Sequence, residues 1–206
     1  MQKFPTELFV TGTDTGIGKT VVSAMLTAGL NATYWKPVQS GLEGETDTRA
    51  VKRLTELPAS HFKPETYRLS EPLSPHASAQ IDGVTIDMSD FKIPDYSTNH
   101  LIIEGAGGVL VPMNDDSMMI DLMAQLNIPA LVVARSELGT LNHTFLTLEA
   151  LRKRHIPILG VIMNGPKNES NRKAIENYGN IDVLAEIKPM DEVNAQFLTK
   201  IFDKNF

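Results

Sequence analysis

Short apolar runs alternate with longer amphipathic stretches along this chain. Leu8 to Val10 reads as a strand and Val21 to Leu30 as the helix after it. Thr33 to Pro37 predicts a second strand, Leu101 to Ile103 a third and Ala130 to Ala134 a fourth. Ile158 to Met163 predicts a fifth and Val183 to Ala185 a sixth. Further helices are predicted around Asp121 to Leu126, over Leu141 to Arg154, around Ile175 and Tyr178, and over Glu192 to Phe202. Strands that are apolar throughout are expected to be buried on both faces. Their alternation with helices predicts an α/β protein with a mostly parallel central sheet covered by helices on both faces. The stretch from Leu57 to Tyr96 breaks this rhythm. It holds Pro58, Pro64, Pro72, Pro75 and Pro94 and reads as loops with one short helix. Long loops in compact domains are often functional.

Composition narrows the picture by exclusion. A chain of 206 residues with 42% apolar and 21% charged residues is expected to form one domain over 1–206. The formal net charge of -6 argues against nucleic acid as a partner. There is no cysteine, which excludes disulfides, thiolate metal sites and cysteine nucleophiles. The five histidines form no HExxH pattern. Met1 to Glu7 has one lysine and no apolar core of a secretion signal. No run of about 18 uninterrupted apolar residues is present. The expectation is a cytoplasmic protein with neither a membrane nor a nucleic-acid partner.

The strongest chemical signal is Gly12-Thr13-Asp14-Thr15-Gly16-Ile17-Gly18-Lys19-Thr20, placed between the first strand and the first helix. That is the context of a phosphate-binding P-loop. Glycines let backbone N–H groups turn toward phosphate oxygens, and the helix N-terminus adds a favourable field. Lys19 can reach the β- and γ-phosphates of ATP, and the Thr20 hydroxyl can ligate Mg²⁺. The general pattern would put glycine at position 13, where this chain has Thr13. The competing reading is a glycine-rich turn with an exposed lysine.

Other candidates stand at the expected ends of strands, where ligands of open α/β sheets bind. Lys36-Pro37-Val38-Gln39-Ser40-Gly41 follows the second strand, so Lys36 and Ser40 should face the P-loop crevice. Taken alone, Lys36 also fits a solvated lysine before a Pro/Gly turn. Asp47 fits the first turn of a helix. Glu104 ends an apolar strand before a glycine-rich turn, where a carboxylate can hold Mg²⁺ or its waters. Thr20, Asp47, Glu104 and ATP would make an oxygen-rich Mg²⁺ set. Asn164 follows the fifth strand and carries a donor and an acceptor suited to an adenine edge; alone it also fits a turn. Gly139-Thr140-Leu141-Asn142 opens the long helix, and its free N–H groups suit a carboxylate. Capping by Thr140 is the simpler reading of that segment.

Together the segments GTDTGIGKT (12–20), KPVQSG (36–41), TD (46–47), PLSPHASA (72–79), EGAGGVLVP (104–112), LGTLNHTFLT (138–147) and MNGP (163–166) resemble the dethiobiotin synthetase family. They cover most of the chain in order, and the family's P-loop also accounts for Thr13. The resemblance implies 7,8-diaminononanoate, CO2 or bicarbonate, and ATP as substrates. It implies dethiobiotin, ADP and phosphate as products, with Mg²⁺ as the metal. One amine captures CO2 as a carbamate, whose oxygen attacks the γ-phosphate; the second amine then closes the ureido ring and expels phosphate. By resemblance Lys36 steadies the carbamate and the mixed anhydride, Lys19 the phosphoryl group, and Thr15 and Ser40 their oxygens. Gly12, Thr13, Asp14, Gly16, Ile17, Gly18, Lys19, Thr20, Glu104 and Asn164 are implied to contact the nucleotide. Gly107 and Gly108 join Lys36 and Ser40 around the substrate. The N-terminus formed by Gly139, Thr140, Leu141 and Asn142 is implied to hold the substrate's far carboxylate across a homodimer. Glu137 stands where some family members have a basic residue.

Two other readings compete. A nucleotide-switch ATPase of the partitioning or division-site type shares the fold expectation, but its signature P-loop lysine would fall at Asp14. A small-molecule kinase would leave the phosphate on its product.

Overall fold

A computed structural model describes residues 4–188 and 193–206. Its strands are β1 (Glu7–Gly12), β2 (Thr33–Trp35), β3 (Val38–Ser40), β4 (Phe62–Lys63), β5 (Tyr67–Leu69), β6 (Leu101–Glu104), β7 (Ala130–Arg135), β8 (Ile158–Asn164) and β9 (Val183–Ile187). Its helices are α1 (Lys19–Gly29), α2 (Asp47–Thr55), α3 (Pro75–Asp82), α4 (Met119–Leu126), α5 (Thr140–Lys153), α6 (Glu169–Gly179) and α7 (Ala195–Asn205). Seven strands form one sheet in the order β4-β2-β6-β1-β7-β8-β9, and β3 and β5 form a separate pair. Every strand pairing in both sheets is parallel.

The side chains explain why the sheet must be covered twice. Along β1, Leu8 and Val10 enter one core while Phe9 enters the other. Along β7, Leu131 and Val133 alternate in the same way with Ala130, Val132 and Ala134. A strand sends successive side chains to opposite faces, so all-apolar strands require cover on both. Helices α1, α2 and α7 supply Val22, Met25, Val51, Leu54 and Leu198 to one layer. Helices α3 to α6 supply Ala79, Met119, Leu122, Leu148 and Ile175 to the other. The expected sheet with helices on both faces is therefore present.

The differences from the expectation are local. The second strand ends at Trp35 rather than Pro37, and Val38–Ser40, read as part of a turn, is β3. The stretch from Leu57 to Tyr96 contains β4, β5, α3 and two 3₁₀ turns, at Ala59–His61 and Met88–Asp90. β4 extends the main sheet at its edge. The first three residues of the chain and Glu192, the expected start of the last helix, lie outside the described residues; α7 starts at Ala195.

Candidate active site

Strand β1 delivers the chain into the loop 13–18, and α1 leaves from it. Gly18 occupies the N-cap position of α1 with φ 93°, a left-handed conformation that favours glycine. Asn164, at the end of β8, braces this turn: its Nδ2 donates to the Ile17 carbonyl at 2.8 Å. A Cβ on residue 18 would lie 2.1 Å from that same nitrogen. Ile17 buries its side chain against Gly12, and the Thr13 N–H donates to the Val133 carbonyl on β7. Asp14 turns away from the loop's interior. Its carboxylate accepts from the Thr15 N–H at 2.7 Å and pairs with Arg135 at 2.6 Å. The Lys19 ammonium donates to the Asp14 carbonyl at 2.8 Å.

The adjoining strand ends carry the charged groups. Lys36 is 3% exposed, and its Nζ lies 2.8 Å from Asp47 Oδ2 and 3.3 Å from Glu104 Oε1. It also donates to the Gly105 carbonyl at 3.2 Å. The Thr20 hydroxyl donates to Asp47 Oδ1 at 2.8 Å and lies 3.1 Å from Glu104 Oε1. Gln39 fixes the start of α2 by accepting from the Asp47 N–H at 3.1 Å. Thr46 caps that helix, which leaves the Asp47 side chain free for the site.

Charge and burial set the protonation states. Burial, then the neighbouring Lys36 charge, brings the Lys19 ammonium down to about 8, although Glu104, Asp47 and Asp14 oppose the shift. Burial would also lower Lys36, but Glu104 and Asp47 more than offset it and the net shift is upward. Burial would raise the Asp47 carboxyl; the Lys36 charge and the bonds from Lys36 and Thr20 outweigh it and hold it below the usual range. Lys36 is therefore a cation and Asp47 an anion at neutral pH.

These groups surround a cavity of about 570 Å³. Of the residues expected at the site, Thr15, Gly16, Gly18, Lys19, Thr20, Lys36, Ser40, Asp47, Glu104 and Gly107 line it together. The Ser40 Oγ is buried and has no hydrogen-bond partner. Gly12, Thr13, Asp14, Ile17 and Asn164 support the loop from behind, and Gly108 packs against the Gly12 carbonyl. Gly139 to Asn142 does not border this cavity. Capping by Thr140 is corrected: Gly139 holds the N-cap position with φ 94°, and the buried Thr140 hydroxyl donates back to the Arg135 carbonyl at 2.6 Å. Glu137 and Leu138 beside it are exposed. Three features escaped the sequence reading. Gln39 lies within KPVQSG and Pro72 to Pro75 within PLSPHASA, but the motifs assign neither the bond to the start of α2 nor the cavity wall, and the Tyr34 donation to Glu104 has no motif at all.

The oxygens near Thr20 suit a hard divalent cation. Two carboxylates converge on one hydroxyl that has a single proton to give. Mg²⁺ takes oxygen ligands, commonly one or two carboxylates completed by water and phosphate. Among the described residues no cluster of three or more acidic or histidine side chains could hold a metal alone. The protein set is thus partial and of the kind completed by a nucleotide's phosphates.

A glycine loop ending in Gly-Lys-Thr, set between a central parallel strand and a helix, defines a P-loop nucleotide-binding protein. A family model described as an AAA domain matches residues 6–196. Among solved structures, the septum site-determining protein MinD complexed with Mg-ADP from Pyrococcus horikoshii superposes with a TM-score of 0.58 at 13% identity, covering 96% of this chain and 94% of that one. A plasmid partition protein from Borrelia burgdorferi gives 0.56 at 11% identity, covering 98% of each chain. At such identities the likeness is one of fold. The ATP-dependent dethiobiotin synthetase BioD of Paramagnetospirillum magneticum is 52% identical over 188 residues, covering 91% of this chain and 90% of its own. Its counterpart from Brucella ovis is 50% identical over 199 residues, covering 97% and 93%. The biotin biosynthesis bifunctional protein BioCD of Bordetella avium is 49% identical over 193 residues, covering 93% of this chain and 41% of that one. The chain belongs to the AAA domain family described by the matching model and to the dethiobiotin synthetase family.

Proposed function

We propose that this chain is an ATP-dependent ligase that converts 7,8-diaminononanoate and CO2 into dethiobiotin, with ADP and phosphate as the other products. Family membership fixes the reaction class, and one observation supports this site for it: Lys19, Lys36, Ser40 and the Thr20–Asp47–Glu104 oxygens all border one cavity. One neutral amine of the diamine attacks CO2 and loses a proton, giving a carbamate. A carbamate oxygen attacks the γ-phosphorus of ATP, ADP leaves, and a carbamic-phosphoric anhydride forms. The second amine attacks the carbonyl carbon, loses a proton and expels phosphate as the ureido ring closes.

Every intermediate is anionic, so fixed cations and donors are what the protein must supply. Lys36 is a buried cation fixed by two carboxylates and the Gly105 carbonyl, so a carbamate oxygen would gain its charge by replacing one of these bonds. Lys19 follows the transferring phosphoryl group. Ser40 has a buried hydroxyl with no internal partner, and Thr15 lines the same wall; both donate to substrate oxygens. Thr20, Asp47 and Glu104 would hold Mg²⁺, which would supply positive charge to the phosphates. Thr15, Gly16, Gly18, Lys19 and Thr20 bind the nucleotide, while Asn164 braces their loop through the Ile17 carbonyl. Gly107 and Gly108 shape the substrate side.

By family resemblance Gly139 to Asn142 holds the substrate's far carboxylate from a second copy in a homodimer; its distance from this chain's own cavity is compatible with that reading. The protein works in the cytoplasm as one domain over 1–206. The diagnostic experiment is mass spectrometry of products from 7,8-diaminononanoate, ¹³C-bicarbonate and Mg-ATP. Expected are a ¹³C-labelled cyclic urea and one free phosphate per ring. A phosphorylated diamine, or ATP hydrolysis without a ring, would refute the proposal. Mixing a Lys36→Ala variant with an Asn142 variant tests the dimer. Restored activity in the mixture supports a shared site, and none is expected if each chain is complete alone.

A further inference from the structure

The two oxygens of Glu104 have different surroundings. Oε1 faces Thr20 at 3.1 Å and Lys36 at 3.3 Å. Oε2 accepts from the Tyr34 hydroxyl at 2.9 Å. Both residues are fully buried, at 0% exposure. A buried carboxylate oxygen without a donor costs much of its lost hydration, so this one bond matters. A phenol hydroxyl keeps its proton at neutral pH and so serves as the donor of this bond.

The strand explains how the contact arises. Tyr34 and Lys36 are two residues apart, and Tyr34 lies opposite Ile102 on β6. Glu104 is two residues beyond Ile102. By the alternation of strands, Tyr34, Ile102 and Glu104 share one face of the sheet. Lys36, just past the strand end, reaches the same carboxylate. The Tyr34 ring packs against Phe62 at a centroid distance of 6.4 Å, which helps to fix its direction.

We infer that Tyr34 is a positioning residue for the metal-nucleotide site. It anchors Glu104 Oε2 so that Oε1 is presented to the cavity. This rests on the assignment of Glu104 to Mg²⁺ made above. The terminal torsion of a glutamate is soft. Without the hydroxyl, the carboxylate rotates to share Lys36 and Thr20 between both oxygens, and Oε1 leaves its place. Loss of an outer partner of a metal ligand typically costs about 10–100-fold in metal affinity or activity.

The test compares Tyr34→Phe with Glu104→Gln and the unaltered protein. Mn²⁺ is titrated by electron paramagnetic resonance in the presence of ADP, and turnover is followed against Mg²⁺. For Tyr34→Phe, Mn²⁺ affinity should fall about 10-fold or more. The half-activating Mg²⁺ concentration should rise in parallel, with kcat largely recovered at saturating metal and KM for the diamine unchanged. Loss of melting temperature with unchanged Mn²⁺ affinity would overturn the inference and leave a packing role. If Glu104→Gln weakens Mn²⁺ and Tyr34→Phe does not, the inference fails while the metal assignment stands. If neither weakens it, the metal assignment itself fails. The double variant covers the case in which Tyr34→Phe does not fold, because it removes the buried charge that lost its donor. Its Mn²⁺ affinity should equal that of Glu104→Gln alone; a further additive loss would overturn the coupling.

Discussion

Replacing Lys36 with methionine removes one charge and keeps most of the side chain's volume. In the protein that charge sits 2.8 Å from Asp47 and 3.3 Å from Glu104. Removing one partner of a buried ion pair costs about 3–5 kcal/mol. Asp47 is 32% exposed on its side chain, so solvent screens part of its share and the lower end applies. At about 2–4 °C per kcal/mol for a chain of this size, the melting temperature should fall by about 6–12 °C. Turnover should fall about 100-fold or more, as when an oxyanion-type donor is lost. The pH dependence supplies an independent check. Lys36 is raised in the folded state, so its contribution is full below its unfolded value of 10.5 and is lost as pH rises through the higher folded value. Asp47 is lowered, so its contribution is present above its unfolded value of 3.8 and is lost as pH falls through the lower folded value. The variant should therefore be most penalised between those limits, and the gap should close in stronger acid. Calorimetry across pH, with phosphate release measured at neutral pH, tests both parts. A variant that melts within about 2 °C of the unaltered protein and turns over within about tenfold of it would refute the reasoning.

Other outcomes follow from single contacts. Ser40→Ala removes a hydroxyl with no internal partner, so stability should stay within about 0.5 kcal/mol while kcat/KM for the diamine falls by up to about tenfold; unchanged kcat/KM would remove Ser40 from the site. Gly18→Ala should weaken ATP binding, since its Cβ would meet Asn164 Nδ2 at 2.1 Å and φ is 93°. Adding Asn164→Ala should restore only part of that affinity, because the left-handed conformation still costs about 1–2 kcal/mol. Near pH 8 ATP binding should take up protons, because Lys19 sits at about 8 and a polyanion raises it. Binding enthalpies measured in buffers of different ionisation heat should show that uptake, and a buffer-independent enthalpy would argue against it.

The sequence made the central framework legible because its strands are apolar throughout and its P-loop has a mechanism written into its order. Lys36 and Glu104 could be placed together because each stands at the end of an apolar strand, whereas Asp47, which alone reads as a first-turn helix acid, joined them through the family motifs. The elements that were missed are short. β3 has three residues and β4 has two, too few for any period to register. Their pairings join distant segments, which local pattern does not encode. The wall formed by Pro72 to Pro75 depends on where the chain between β5 and α3 passes, which no local pattern records. Tyr34 looked like an ordinary strand aromatic, and only the register of β2 with β6 connects it to a carboxylate 70 positions away. Thr140 misled because a threonine before a helical run usually caps it, whereas here tertiary burial turned its hydroxyl toward the preceding strand.

The Lys19 contact to the Asp14 carbonyl gives the loop an internal surrogate for its ligand. An arriving phosphate gains only the difference between its own hold on the ammonium and the hold it replaces. The number of hydrogen bonds hardly changes in that exchange; the charge does, from a carbonyl dipole to a full anion. A neutral acceptor entering the loop therefore gains almost nothing from Lys19, while a polyphosphate gains a strong attraction. The lysine becomes a filter on ligand charge, and the threshold is set by a peptide carbonyl that carries no sequence information of its own.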